Sequence, residues 1–149
     1  MPQTIYLLNG PNLNLLGRRE PHIYGSTTPE DLAAKCRSVA EQHGFALEFR
    51  QTNREGEMID WIQEARQSAG IVINPAGFAS NSISVRDALL MCNCPVVEVH
   101  MSNIHRQEDE PWRAESVISA ATTAVITGLG VHGYVAALDF IGLAASEAD

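Results

Sequence analysis

The feature that most constrains the fold is an alternation of short apolar segments with longer amphipathic ones. The short segments are rich in β-branched residues and have the length of buried strands. They predict strands at residues 4–8, 71–74, 96–99 and 124–127. A weaker fifth segment, residues 45–51, alternates apolar and polar residues, as a strand near a sheet edge does.

Helical patterns separate these strands, at residues 29–43, 56–68, 83–91 and 134–145. Pro29 behind Thr28 is typical of a helix start, while Gly44 and Gly70 stand where the first two helices should stop. Alternating strands and helices predict an α/β flavodoxin-like fold, a five-stranded parallel sheet with helices on both faces. Because no repeat or linker divides the 149 residues, we expect a single domain spanning residues 1–149.

Composition narrows the possible partners. The formal net charge of -8 and the lack of a Lys/Arg cluster argue against a nucleic-acid partner. No segment approaches the roughly 20 apolar residues of a membrane span, and the first residues lack the pattern of a secretory signal, so we expect no membrane partner and a cytoplasmic location. Cys36, Cys92 and Cys94 lack the Cys-x-x-Cys spacing of a zinc site. We expect them to be buried free thiols without a structural metal.

The segment after the first strand is unusually long. About twenty residues, 9–31, precede the first helix, and connections of that length in a compact domain are often functional lids. This segment carries Asn12, Arg19 and Tyr24; the alternative is a solvated loop with asparagines in turns. A tyrosine becomes a useful base when a cation such as Arg19 favours the phenolate.

Polar residues also follow the third and fourth strands. Asn74 ends the third strand and His100 the fourth, with Ser102 and Arg113 behind it. Ligands bind outside the carboxyl ends of parallel strands, so we expect these side chains to converge with those of the first loop. Cations, amides and a Tyr/His pair suit acid–base chemistry on an anionic, hydroxylated small molecule. Metal binding by His100 and His105 is the weaker alternative, because no Cys or acidic pattern completes the site.

Five segments together resemble the type II 3-dehydroquinate dehydratases, or type II dehydroquinases. They are LNGPNLNLLGRREPHIYGSTT, FRQTNREGEMIDWIQEA, IVINPAG, SVRDALL and VVEVHMSNIHRQEDEPWR. The resemblance implies a flavodoxin-like enzyme that eliminates water from 3-dehydroquinate to give 3-dehydroshikimate through an enolate, in shikimate synthesis or quinate breakdown. It implies no metal and no organic cofactor, and a homo-oligomer, a dodecamer built from trimers.

The resemblance also implies roles for individual residues. Tyr24 would be the base, Arg19 would hold it as phenolate, and Asn12 would position a water or donor for the enolate oxygen. His100 would protonate the departing hydroxyl. The implied substrate contacts are Asn74, Asp87, Arg113 and the backbone around Met101 and Ser102.

Two stretches depart from the family pattern. The family usually reads Asn-Pro-Gly-Ala-Tyr-Thr-His-Thr-Ser where this chain has NPAGFASNS, so Ser80 stands in the place of a substrate-binding histidine. Two extra residues lie around Glu108–Glu110, and Ala114 and Glu115 replace residues that are often histidine. These departures predict weaker or altered substrate binding with the chemistry retained. The alternatives are an enzyme for a related cyclic hydroxy acid, or a non-catalytic binding protein such as a flavin carrier.

Overall fold

The five predicted strands form one parallel sheet. The computed structural model describes residues 3–18, 26–106 and 108–148. The strands are β1 (Thr4–Asn9), β2 (Ala46–Gln51), β3 (Gly70–Asn74), β4 (Val96–His100) and β5 (Ala124–Thr127). Their order is β2-β1-β3-β4-β5, and every pair is parallel. This order is that of the flavodoxin-like fold, which we predicted, and the alternating strand β2 lies at an edge of the sheet.

Helices cover both faces of the sheet, as predicted. They are α1 (Pro29–Gln42), α2 (Glu55–Ala65), α3 (Phe78–Asn81), α4 (Ile83–Leu90) and α5 (His132–Ala148). The short helix α3 was not predicted, because the pattern in this stretch favoured an irregular loop. A single turn of small and polar residues is too short to show helical periodicity.

Local signals explain where the first helix begins and ends. The Thr28 side chain accepts a hydrogen bond from the Asp31 backbone N–H, and the Asp31 carboxylate accepts one from Thr28, which makes a capping box. Gly44 follows the helix with φ +83°, a conformation that glycine adopts without strain. Gly70 does not end α2 but begins β3, where a Cβ would lie 2.8 Å from the Ile141 side chain.

The core consists of two apolar layers, one on each face of the sheet. Helices α1 and α5 pack on one face with Leu32, Cys36 and Leu138, while α2 and α4 pack on the other with Ile62 and Leu89. The prediction of a buried Cys36 is confirmed, but Cys92 and Cys94 are half-buried, so that prediction was wrong for these two. In the described part of the chain, no helix is long and apolar enough to cross a membrane.

Candidate active site

A cavity of about 450 Å³ opens at the carboxyl ends of the central strands. Its walls come from the loops after β1, β3 and β4, where a parallel sheet of this order binds its ligands. Besides apolar residues, the lining holds seven of the predicted site residues: Asn12, Asn74, Ser80, His100, Met101, Ser102 and Arg113.

Of the three remaining predicted site residues, the structure describes only Asp87. Arg19 and Tyr24 lie outside the described residues. Asp87 is on α4, pairs with its neighbour Arg86, and keeps 61% of its side chain exposed. Asp87 is not among the residues that line the described cavity.

The strand ends beneath the cavity are held together by a buried hydrogen-bond network. Asn9 and Asn74 are register partners at the ends of β1 and β3. The Tyr134 hydroxyl of α5 donates to Asn9 Oδ1 at 3.0 Å and accepts from Asn74 Nδ2 at 2.8 Å. Burial raises the pKa of Tyr134, so its hydroxyl stays protonated and can donate. The network therefore fixes the orientation of the Asn74 amide.

The backbone after Asn74 turns sharply into the cavity wall. The Asn74 Oδ1 atom accepts a hydrogen bond from the Ala76 backbone N–H at 3.1 Å, forming an Asx turn. Ala76 has φ +50°, whereas Gly77 beside it has φ −61°. The left-handed position is therefore occupied by Ala76. Gly77, which could adopt that conformation without strain, is one residue further along.

Glycine is required where β1 meets this turn. The Gly10 backbone N–H donates to the Asn74 carbonyl at 2.8 Å, and a Cβ on Gly10 would lie 2.4 Å from the Pro75 carbonyl oxygen. The loops after β1 and β3 approach each other closely at this point. The Asn12 backbone N–H donates to Asn53 Oδ1 at 2.9 Å, which fixes the backbone of Asn12 at the cavity rim.

His100 is held from below by a buried carboxylate. Glu98 and His100 are two residues apart on β4, so their side chains project from the same face of the strand. His100 Nε2 is hydrogen-bonded to Glu98 Oε2, and Ser119 Oγ donates to Glu98 Oε1 at 2.7 Å. Glu98 is fully buried and His100 is 7% exposed.

The charge state of Glu98 determines which nitrogen of His100 carries the proton. Burial alone would raise the pKa of the Glu98 carboxyl, but hydrogen bonds from His100, Ser119 and Ser116 outweigh it and hold the pKa below its ordinary value. Because a carboxylate only accepts, Nε2 must carry the proton. This leaves Nδ1 as the nitrogen of His100 that is available for proton exchange with a ligand.

Arg113 reaches the cavity from a 3-10 turn at Pro111–Ala114. Residues three apart are eclipsed in a 3-10 turn, so the Glu110 and Arg113 side chains lie side by side and form an ion pair. The Arg113 guanidinium also lies over the Trp112 ring, 4.5 Å from its centroid. Arg113 is thus held between a carboxylate and an aromatic face.

The metal alternative finds no support in the described geometry. Across residues 3–18, 26–106 and 108–148, no three His, Cys, Asp or Glu side chains come together in a way that could hold a metal ion. His100 is engaged by Glu98, and His105 is exposed in a 3-10 turn.

Sequence reasoning missed three residues that shape this site: Glu98, Glu110 and Tyr134. Glu98 carried a signal, because a carboxylate inside a buried apolar strand is rare without a partner. Glu110 lies in the stretch around which we expect two extra residues, three positions before a predicted ligand contact. Tyr134 carried none, since nothing in the pattern of α5 shows that its hydroxyl meets residues 60 and 125 positions away.

Comparison with known proteins is consistent with this geometry. The family model described as Dehydroquinase class II matches residues 3–142. The chain is 53% identical over 139 residues to "3-dehydroquinate dehydratase 2" of Pseudomonas putida, covering 93% of this chain and 92% of that protein. It is 51% identical over 144 residues to "Catabolic 3-dehydroquinase" of Aspergillus clavatus, covering 96% and 95%.

A solved structure gives the same assignment. The type II dehydroquinase from Propionibacterium acnes superposes with a TM-score of 0.89 at 44% identity, covering 96% of this chain and 98% of that one. Sequence and fold agree over nearly the whole length of both molecules. The chain belongs to the class II dehydroquinase family.

Proposed function

We propose that the chain eliminates water from 3-dehydroquinate to give 3-dehydroshikimate, acting as a hydro-lyase. The observation that carries the proposal is the His100–Glu98 pair facing a cavity that also contains Asn12, Asn74 and Arg113. Relatives at about 50% identity that carry the names 3-dehydroquinate dehydratase and catabolic 3-dehydroquinase support the same substrate. The reaction serves shikimate synthesis or quinate breakdown.

The first step in this proposal is removal of a proton beside the substrate ketone. Tyr24 is the proposed base, in the phenolate form that Arg19 favours. This role rests on the resemblance of the segment that carries both residues to the family motif. The electron pair moves onto the ketone oxygen and forms an enolate. Asn12, at the cavity rim, is proposed to hold a water or donor against that oxygen, where a preorganised donor stabilises developing charge.

The second step is loss of the hydroxyl as water. His100 is the proposed acid: its Nδ1 gives a proton to the departing hydroxyl while the enolate collapses to the conjugated enone. The buried Glu98 carboxylate stabilises the imidazolium that must form before this transfer, and it keeps the ring in one orientation. In both steps the proton is transferred directly between the substrate and a side chain, Tyr24 in the first step and His100 in the second.

Binding of the substrate is proposed to rest on its carboxylate and hydroxyls. Arg113 offers a fork of N–H donors that matches a carboxylate. Asn74, Ser80 and the backbone of Met101 and Ser102 line the same cavity and can meet hydroxyl groups. Ser80 is shorter than the family's histidine, so we expect weaker binding at that point.

The experiment that tests the function follows the absorbance of the enone product. Purified protein is mixed with 3-dehydroquinate, and a Tyr24→Phe variant serves as the comparison. Turnover by the parent and its loss in the variant are expected, because phenylalanine keeps the ring but has no proton acceptor. A folded parent protein without activity at millimolar substrate would refute the proposal.

We further propose a homo-oligomer, a dodecamer of trimers. Asp87, an implied substrate contact, lies outside the cavity of its own chain, which an assembly can explain if it brings Asp87 to the cavity of a neighbouring copy. Light scattering should then give about twelve times the 16.2-kDa chain mass.

A single catalytic domain and a cytoplasmic location are also proposed. The three free thiols are typical of a reducing compartment.

A further inference from the structure

We propose that Glu110 weakens substrate binding by competing with the substrate carboxylate for Arg113. The inference rests on the proposed function, because it assumes that Arg113 receives the carboxylate of an anionic substrate. Glu110 belongs to the stretch, residues 108–110, around which we expect this chain to have two residues more than the family pattern.

The local backbone places Glu110 beside Arg113. Pro111 begins a 3-10 turn, the Arg113 backbone N–H donates to the Glu110 carbonyl at 3.0 Å, and the two side chains therefore project together. Arg113 Nε donates to Glu110 Oε2. This bond occupies the Nε–H group, one of the donors through which a carboxylate can bind a guanidinium side-on.

Both members of the pair line the cavity. Among the lining residues that the structure describes, Arg113 and Glu110 are the ones with permanent charges at neutral pH, and these charges cancel. An incoming carboxylate must either displace Glu110 from the guanidinium or share it with a like charge. Glu110 therefore lowers the affinity of the site for anions, whereas the Trp112 ring packs against the guanidinium without adding a charge.

Exposure limits the size of the effect. Each side chain of the pair is 44% exposed, so water and salt screen the interaction. Exposed ion pairs contribute about 0.2–1 kcal/mol, which corresponds to a change of about 1.5- to 5-fold in an equilibrium constant.

The test compares Glu110→Gln with Glu108→Gln. Both variants remove one negative charge from the same segment, but Glu108 is exposed and is not among the residues that line the cavity. Glu110→Gln should lower the KM for 3-dehydroquinate by about 2- to 5-fold with kcat nearly unchanged, while Glu108→Gln should leave KM within about 1.5-fold of the parent. A KM in Glu110→Gln equal to or above that of Glu108→Gln would overturn the inference.

A second measurement separates this inference from the proposed function. Inorganic sulfate is titrated at constant ionic strength while tryptophan fluorescence is followed, since Trp112 is in contact with Arg113. Trp61 is common to all the proteins compared, so differences between them report on Trp112. Tighter sulfate binding in Glu110→Gln supports competition at Arg113 even if the parent protein does not turn over 3-dehydroquinate. Equal sulfate affinity in both variants would count against it whatever the activity.

Discussion

Replacing Tyr134 with phenylalanine should destabilise the protein by an amount that the structure allows us to estimate. The hydroxyl is fully buried and bridges Asn9 Oδ1 and Asn74 Nδ2, which belong to residues only 2% and 4% exposed. Its removal leaves one acceptor and one donor without their partner, at about 1–3 kcal/mol each. Phenylalanine is more apolar than tyrosine, so its burial offsets part of this cost. We expect a loss of about 2–4 kcal/mol in the free energy of unfolding.

The assay is urea unfolding followed by fluorescence, at one fixed protein concentration because assembly would add to the apparent stability. A loss of this size lowers the melting temperature by about 5–15 °C in a chain of this length. Tyr6→Phe is the matched control: its hydroxyl donates to Glu64 at 2.9 Å in an exposed setting, so its loss should cost under about 0.5 kcal/mol.

A second consequence concerns catalysis. Without the Tyr134 hydroxyl the Asn74 amide keeps only its hydrogen bond from the Ala76 N–H and is held less firmly. We therefore expect kcat/KM for 3-dehydroquinate to fall by roughly 5- to 30-fold at a temperature where the variant is folded, an effect of about 1–2 kcal/mol. Tyr6→Phe should retain the parent value. If Tyr134→Phe matched Tyr6→Phe in both stability and kcat/KM, the reasoning about the buried network would be refuted.

Three further predictions follow from the same contacts. Glu98→Gln should reduce kcat on the order of 100-fold in the enone assay, because an amide cannot accept from both of its neighbours and His100 loses its orientation; an unchanged kcat would contradict this role. The double exchange Ala76→Gly with Gly77→Ala should stabilise the protein by about 1–2 kcal/mol in urea unfolding, since it relieves a left-handed alanine without changing the composition of the unfolded chain. A hydrogen bond from the Cys92 thiol lowers the pKa of Cys94 to about 7. Alkylation of Cys94 by iodoacetamide, measured by mass spectrometry, should therefore rise with pH around that value and precede alkylation of the other cysteines. A midpoint near 9 would argue against the shared hydrogen bond.

The five strands and four of the five α-helices could be predicted from the sequence because their signals are local. Strand β4, for example, is a short β-branched run, and helix α1 begins with a proline behind a capping threonine. Their alternation dictates parallel pairing, which in turn places the strand ends together. The sequence alone therefore located Asn74 and His100 at the edge of the sheet where a ligand binds, and the resemblance of the motifs pointed to the chemistry.

What only the tertiary structure decided is how those side chains are held. Ser119 meets Glu98 from 21 residues away, and Tyr134 joins two strand ends across 60 and 125 residues, so neither contact leaves a periodic trace in the sequence. Asp87 is also not among the residues that line the cavity of its own chain, although the resemblance of its motif implied a substrate contact. Local propensity determines which segments become strands and helices, whereas the partners of a buried polar group depend on which of them pack together.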